Sequence, residues 1–113
     1  MRNQTRNTVL GRAVDVAETS AKRNTGLLKH TRLEPGEGLW IDTCSVHTFF
    51  MKFPIDLVYI DKKRKVRRVR KAVPAWRLSA CLSAQSVLEL PAGTAEETGT
   101  QAGDVLEIEN LTE

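Results

Sequence analysis

The sequence predicts a β-rich α+β domain: a small, partly closed, barrel-like sheet of antiparallel or mixed strands, with one short helix and one helical turn. Three observations predict it. The chain has 113 residues, 41% apolar and 27% charged, which suits one domain with one core, and no Pro/Gly/Ser linker divides it. Residues 55–60, IDLVYI, are apolar on both faces of a strand, as a central strand requires. Short β-branched runs recur between Gly, Pro and Asp turn signals, leaving room for little helix.

Residues 1–7 are polar and read as a flexible N-terminal tail of a single domain spanning 1–113. Residues 8–17 mix β-branched and polar types and form the first expected strand. Thr19 or Ser20 then caps a short helix reaching Leu28. Gly26 interrupts that helix at a cost of about 1 kcal/mol relative to alanine, which close packing against another backbone would justify. Glu34-Pro35-Gly36-Glu37-Gly38 is a turn-rich loop leading to a strand at residues 39–41. From 47 to 53, counting by twos puts His47, Phe49, Met51 and Phe53 on one face, with Thr48, Phe50 and Lys52 on the other. Pro54 ends that segment before the central strand.

Residues 61–65, DKKRK, suit a hairpin turn into a strand at 66–73, and residues 86–90 form another strand. Thr94-Ala95-Glu96-Glu97 fits a capping box that starts one helical turn, stopped by Gly99. Gly103-Asp104 turns the chain into a last strand at 105–111, with Leu106 and Ile108 inward and Glu107 and Glu109 outward.

Charge is polarised. Residues 1–77 hold all 17 Lys and Arg with 7 acids, a net of +10, whereas residues 78–113 hold 7 acids and no base, a net of −7. Halves of opposite sign attract each other when interleaved in one fold, so an anionic partner need not be invoked. The opening residues contain no apolar run like a signal-peptide core, and no segment approaches the roughly 18 apolar residues that cross a membrane. A soluble, cytoplasmic protein that does not enter the membrane is the expectation. There Cys44 and Cys81 are reduced thiols, although in an oxidising compartment a bridge closing so long a loop is worth about 4 kcal/mol.

The run GLLKH at 26–30, GEGLWI at 36–41, HTFFMKFPIDLVYID at 47–61, VLELPAGTAEETG at 87–99 and GD at 103–104 together resemble the ordered motifs of the domain of unknown function 192 family of bacterial and archaeal proteins. The resemblance spans residues 9–111. It implies a compact β-rich α+β domain without an established activity. The resemblance implies export signals in many relatives, and none is expected from the opening residues here. The C-terminal TAEETGTQAGDVLEI also resembles, more loosely, the glycine-aspartate turn of small cradle-loop barrels.

Chemistry concentrates in residues 44–61. His30, Cys44, His47 and Cys81 make a Cys₂His₂ inventory, but only Cys44 and His47 are closely spaced, whereas structural zinc sites draw on tight pairs. No metal and no cofactor are expected. An enzyme would use Cys44 as nucleophile and His47 as base, with Asp42, Asp56 or Asp61 orienting the imidazole. Residues three apart point to opposite faces of a strand, so this needs a turn at 44–46. The basic cluster KKRKVRRVRK at 62–71 has no interleaved aromatics, and at most weak, sequence-independent nucleic-acid contact follows.

Asp56 inside an apolar strand demands a partner, and Lys52 is the nearest basic residue. A ligand site lined by Trp40, His47, Lys52 and Asp56, with Phe49 and Trp76 as further aromatic walls, combines apolar surface with a few polar groups. The sequence therefore supports a non-catalytic small-ligand-binding or accessory module centred on His47, Lys52 and Asp56, its partner an unidentified small molecule or protein. The alternative is a small thiol- or histidine-dependent enzyme with Cys44, His47 and Asp56 as catalytic candidates.

Overall fold

A computed structural model describes residues 1–17, 33–49 and 51–108. The helix expected from Thr19 or Ser20 to Leu28 lies outside the described residues, as do His30 and Phe50.

The double-sided apolar strand organises everything else. Strand β6 (Ile55–Ile60) is buried at every position, and its neighbours are β7 (Val66–Val73) and β9 (Ser86–Pro91), both antiparallel to it. β9 pairs in turn with β4 (Glu37–Ile41), and β4 runs parallel to β3 (Ala13–Ala17). The result is a five-stranded mixed sheet of order β3-β4-β9-β6-β7. Gly38 serves close approach in β4, since a Cβ there would stand 3.0 Å from the Glu89 carbonyl oxygen.

Alternation along these strands divides the core in two. One face carries Leu39, Ile41, Ile55, Leu57, Tyr59, Val73 and Val87, covered by Leu33, Val46 and Met51. The other carries Val58, Ile60, Val66, Leu88 and Leu90, covered by Met1, Leu10 and Leu106. Each fully buried Leu, Ile or Val contributes roughly 1.5–3 kcal/mol of hydrophobic stabilisation.

Two small sheets contribute to those covers, through Val46 on one face and Leu106 on the other. A two-stranded ribbon pairs β5 (Ser45–His47) with β8 (Leu78–Ala80), and Tyr59 fixes it to the main sheet by donating its hydroxyl hydrogen to Ser79 Oγ at 2.9 Å. On the far face β1 (Arg2–Asn3) lies between β2 (Thr8–Val9) and β10 (Leu106–Glu107). A single bridge between Lys65 and Val105 links the residue preceding β10 to the β6–β7 turn, and the sheets stay open.

Several expectations are corrected in detail. Residues 1–7 are no tail: Asn3 is fully buried and donates to Asp104 Oδ2 at 2.9 Å and Thr100 Oγ1 at 3.1 Å. The strand read over 8–17 is two strands separated at 10–12, and the alternation read over 47–53 ends at His47, because Met51 N–H turns back to the Thr48 carbonyl. Ile108 is 45% exposed rather than inward. Interleaving of opposite charge is visible in Arg2–Glu107 at 2.6 Å and Arg6–Asp104 at 3.2 Å, each joining the basic half to the acidic half.

Candidate functional site

The sequence points to Trp40, His47, Lys52 and Asp56, and the fold distributes them over separate surroundings. Asp56 is fully buried in β6, where a register irregularity between Ile55 and Leu57 leaves the bulged β7 backbone opposite it. Its Oδ1 accepts from Ala72 N–H at 2.8 Å, and its Oδ2 accepts from Gly93 N–H at 3.1 Å and Ala95 N–H at 2.8 Å. The last two groups open helix α1 (Thr94–Thr98), whose own cap position, Gly93 at φ 98°, supplies no side chain. Asp56 is thus a long-range helix cap, and the capping box expected at Thr94 is replaced by it. The expected Lys52 partnership is corrected by the same geometry: Lys52 is exposed, and three backbone N–H groups occupy the carboxylate.

His47 belongs to an aromatic group on the ribbon. Its ring lies 4.8 Å from Phe49, and its Nδ1 accepts from Phe49 N–H at 3.3 Å. Phe49 stacks on Trp76, with centroids 5.5 Å apart and planes inclined by 27°. Trp76 is 57% exposed and holds φ 65°, a left-handed conformation anchored by its N–H on the Thr48 carbonyl. Cys44 does not face His47. Ribbon alternation puts Cys44 on the inward side with buried Val46, while His47 shares the outward side with exposed Ser45. A Cys44–His47 dyad is therefore not assembled. Among the described residues, no three His, Cys, Asp or Glu side chains are grouped to hold a metal ion.

Trp40 stands on the opposite face of the main sheet, packed against the second core cluster, and donates its Nε1–H to Ser86 Oγ at 2.8 Å. The Arg64 guanidinium lies over its ring, 5.0 Å from the centroid. Arg64 is aimed there by the hairpin turn, in which it holds φ 66° while Asp61 Oδ1 accepts from Lys63 N–H at 2.8 Å and Lys65 N–H at 3.0 Å. Partial burial pushes the Asp61 carboxyl up, but the N–H groups of Lys65 and Lys63, with the charges of Arg67 and Lys65, hold it below its usual range. Trp40, Arg64, Asp61, Asp42, Lys62, Val16, Gln85 and Ser86 enclose a cleft of about 260 Å³. Sequence reasoning found Trp40 but missed Arg64 and Ser86, because inside a run of eight bases nothing marks the one whose turn position carries it over an indole.

The profile of the domain of unknown function 192 family (DUF192), described as uncharacterized ACR, matches residues 1–108. The chain belongs to this family. It is 29% identical over 115 residues to a UPF0127 protein of Thermococcus sibiricus, covering 95% of this chain and 73% of that one. The DUF192 fold is similar to that of a solved Sinorhizobium meliloti 1021 protein described as a candidate transcription regulator. The TM-score is 0.75 at 24% identity, over 83% of this chain and 79% of that one. A protein of unknown function from Novosphingobium aromaticivorans has TM-score 0.72 at 23% identity, over 84% and 74% of the two chains. These two similarities establish architecture alone. No helix among the described residues is long and apolar enough to cross a membrane.

Proposed function

We propose that this DUF192 domain is a non-catalytic binding module for a small anionic, partly planar ligand, and that its site is the Trp40–Arg64 cleft. The observation that carries this reading is the Arg64 guanidinium held over the half-buried Trp40 indole, both lining a cleft of about 260 Å³. An aromatic wall offers stacking area, while Arg64 and Lys62 offer charge-assisted donors to a carboxylate or phosphate. Asp42 and Asp61, which also line the cleft, disfavour ligands with negative charge on every side. His47, Lys52 and Asp56, named from the sequence, are outside this cleft's lining, and Asp56 is occupied by the N–H groups of Ala72, Gly93 and Ala95.

The test is fluorescence titration in a Trp76→Phe background with a panel of aromatic carboxylates and phosphates. Saturable quenching of Trp40, abolished by Arg64→Ala, is expected; a panel that leaves Trp40 unquenched at millimolar concentration overturns the reading.

A second reading, sequence-independent contact with nucleic acid, is favoured by a groove of about 540 Å³ beyond the same turn, lined by Lys62, Lys63, Lys65 and Arg67. Binding that falls steeply with salt and needs several of these bases, rather than Trp40, would select it over the small-ligand reading.

A further inference from the structure

Cys44 and Cys81 are both free and half-buried, and they face one another across the ribbon. The register Ser45↔Ala80, Val46↔Ser79, His47↔Leu78 continues outward by one residue on each strand, and Cys81 N–H donates to the Cys44 carbonyl at 2.9 Å. Residues directly opposite in an antiparallel pair project from the same face with Cα atoms about 4.5–5.5 Å apart. A disulfide needs roughly 4.4–6.8 Å between Cα atoms. Alternation sets both thiols on the inward side with Val46 and Ser79, and Cys81 packs against the first core cluster while its Sγ lies 3.4 Å from Ser83 Oγ.

We propose that Cys44 and Cys81 are a redox-modifiable pair that closes to an intramolecular cross-strand disulfide. The oxidant is a low-molecular-weight disulfide of the glutathione type. One cysteine loses its proton to solvent, and its thiolate attacks a sulfur of that disulfide, forming a mixed disulfide and expelling one small thiolate. The second cysteine then loses its proton and attacks the protein sulfur of the mixed disulfide, expelling the other small thiolate. Both small thiolates are protonated. Two electrons pass from the protein to the small disulfide, and no atom is left over.

The bridge would tie the two ends of the segment that contains β6 and β7, and would fasten the ribbon bearing His47. Long-loop closure restricts the unfolded chain, so the oxidised form is more heat-resistant, by roughly 10 °C. Neither cysteine belongs to the Trp40 cleft, so this proposal stands or falls independently of the binding reading.

The wild-type protein is incubated with oxidised glutathione, then alkylated and examined by thiol titration, intact mass and peptide mapping. Loss of both titratable thiols, a mass decrease of two hydrogen atoms in the monomer, a peptide joining residues 44 and 81, and full reversal by dithiothreitol are expected. Cys44→Ser and Cys81→Ser should each stop at a mixed disulfide with glutathione. Two glutathione adducts on the wild type, a disulfide-linked dimer, or two thiols that stay titratable would each overturn the proposal.

Discussion

The buried carboxylate of Asp56 accepts the backbone N–H of Ala95 at 2.8 Å, so the central strand caps the only helix among the described residues from 39 positions away in sequence. With Gly93 and Ala72 as further donors, one side chain satisfies the helix N-terminus and the β7 bulge together. Asp56→Ala should therefore lower the unfolding free energy by about 3 kcal/mol in urea titrations, since it strands the buried Ala95 N–H and removes the acceptor of two part-buried N–H groups, those of Ala72 and Gly93. Lys52→Ala should change it by less than about 0.5 kcal/mol. Equal losses in the two variants would restore the Lys52–Asp56 pairing that proximity in sequence favours.

Acid should weaken the junction between the N-terminal sheet and the C-terminal turn. Burial pushes the Asp104 carboxyl up, but Asn3, the Gln101 N–H and Arg6 outweigh it and hold the group below its ordinary 3.8. A depressed folded value contributes stability above the unfolded value and loses it as pH falls through the folded one. Wild type should therefore exceed Asp104→Asn in stability at pH 6, with the gap shrinking below about pH 4. A gap unchanged at pH 2 would contradict this origin.

At the alkaline end Tyr59 contributes. Burial raises its phenol above the ordinary 10.0, although the hydrogen bond with Ser79 works the other way. A raised folded value contributes stability that is fully present below the unfolded value and lost as pH rises through the folded one. Alkaline unfolding of the wild type should thus begin above about pH 10, and Tyr59→Phe should remove that component while costing about 1 kcal/mol at neutral pH for the orphaned Ser79 hydroxyl. Identical alkaline transitions in the two proteins would exclude the phenol as the cause.

Arg64→Gly separates binding from folding. Glycine accepts the φ of 66° that Arg64 holds, and this relief offsets the lost contact with Trp40, so thermal denaturation should report a change within about 1 kcal/mol. Affinity for the anionic ligand should fall at least about tenfold, a difference of about 1.4 kcal/mol. A variant that binds normally would remove Arg64 from the site.

Much of the architecture is legible in the text because its causes are local. The two-sided apolar run of β6, the Asp61 turn, β9 and the Gly99 stop each follow from residues within a few positions of one another. Strand β8 escapes notice because Leu78–Ala80 is short and its outward Leu78 is 73% exposed, so no alternation marks it. The candidate site is legible only in part. Trp40 and His47 stand out as residue types, yet whether they meet depends on which sheet face each strand presents, and they fall on opposite sides.

By itself the sequence determined the family, the β-rich class and the identity of the anomalous carboxylate, since composition, turn chemistry and hydrophobic period act along the chain. Only the tertiary structure decided what that carboxylate does, which base lies over Trp40, and that Cys44 opposes Cys81. These three outcomes depend on strand register and hairpin twist, through which groups far apart in sequence arrive within 3 to 5 Å of each other.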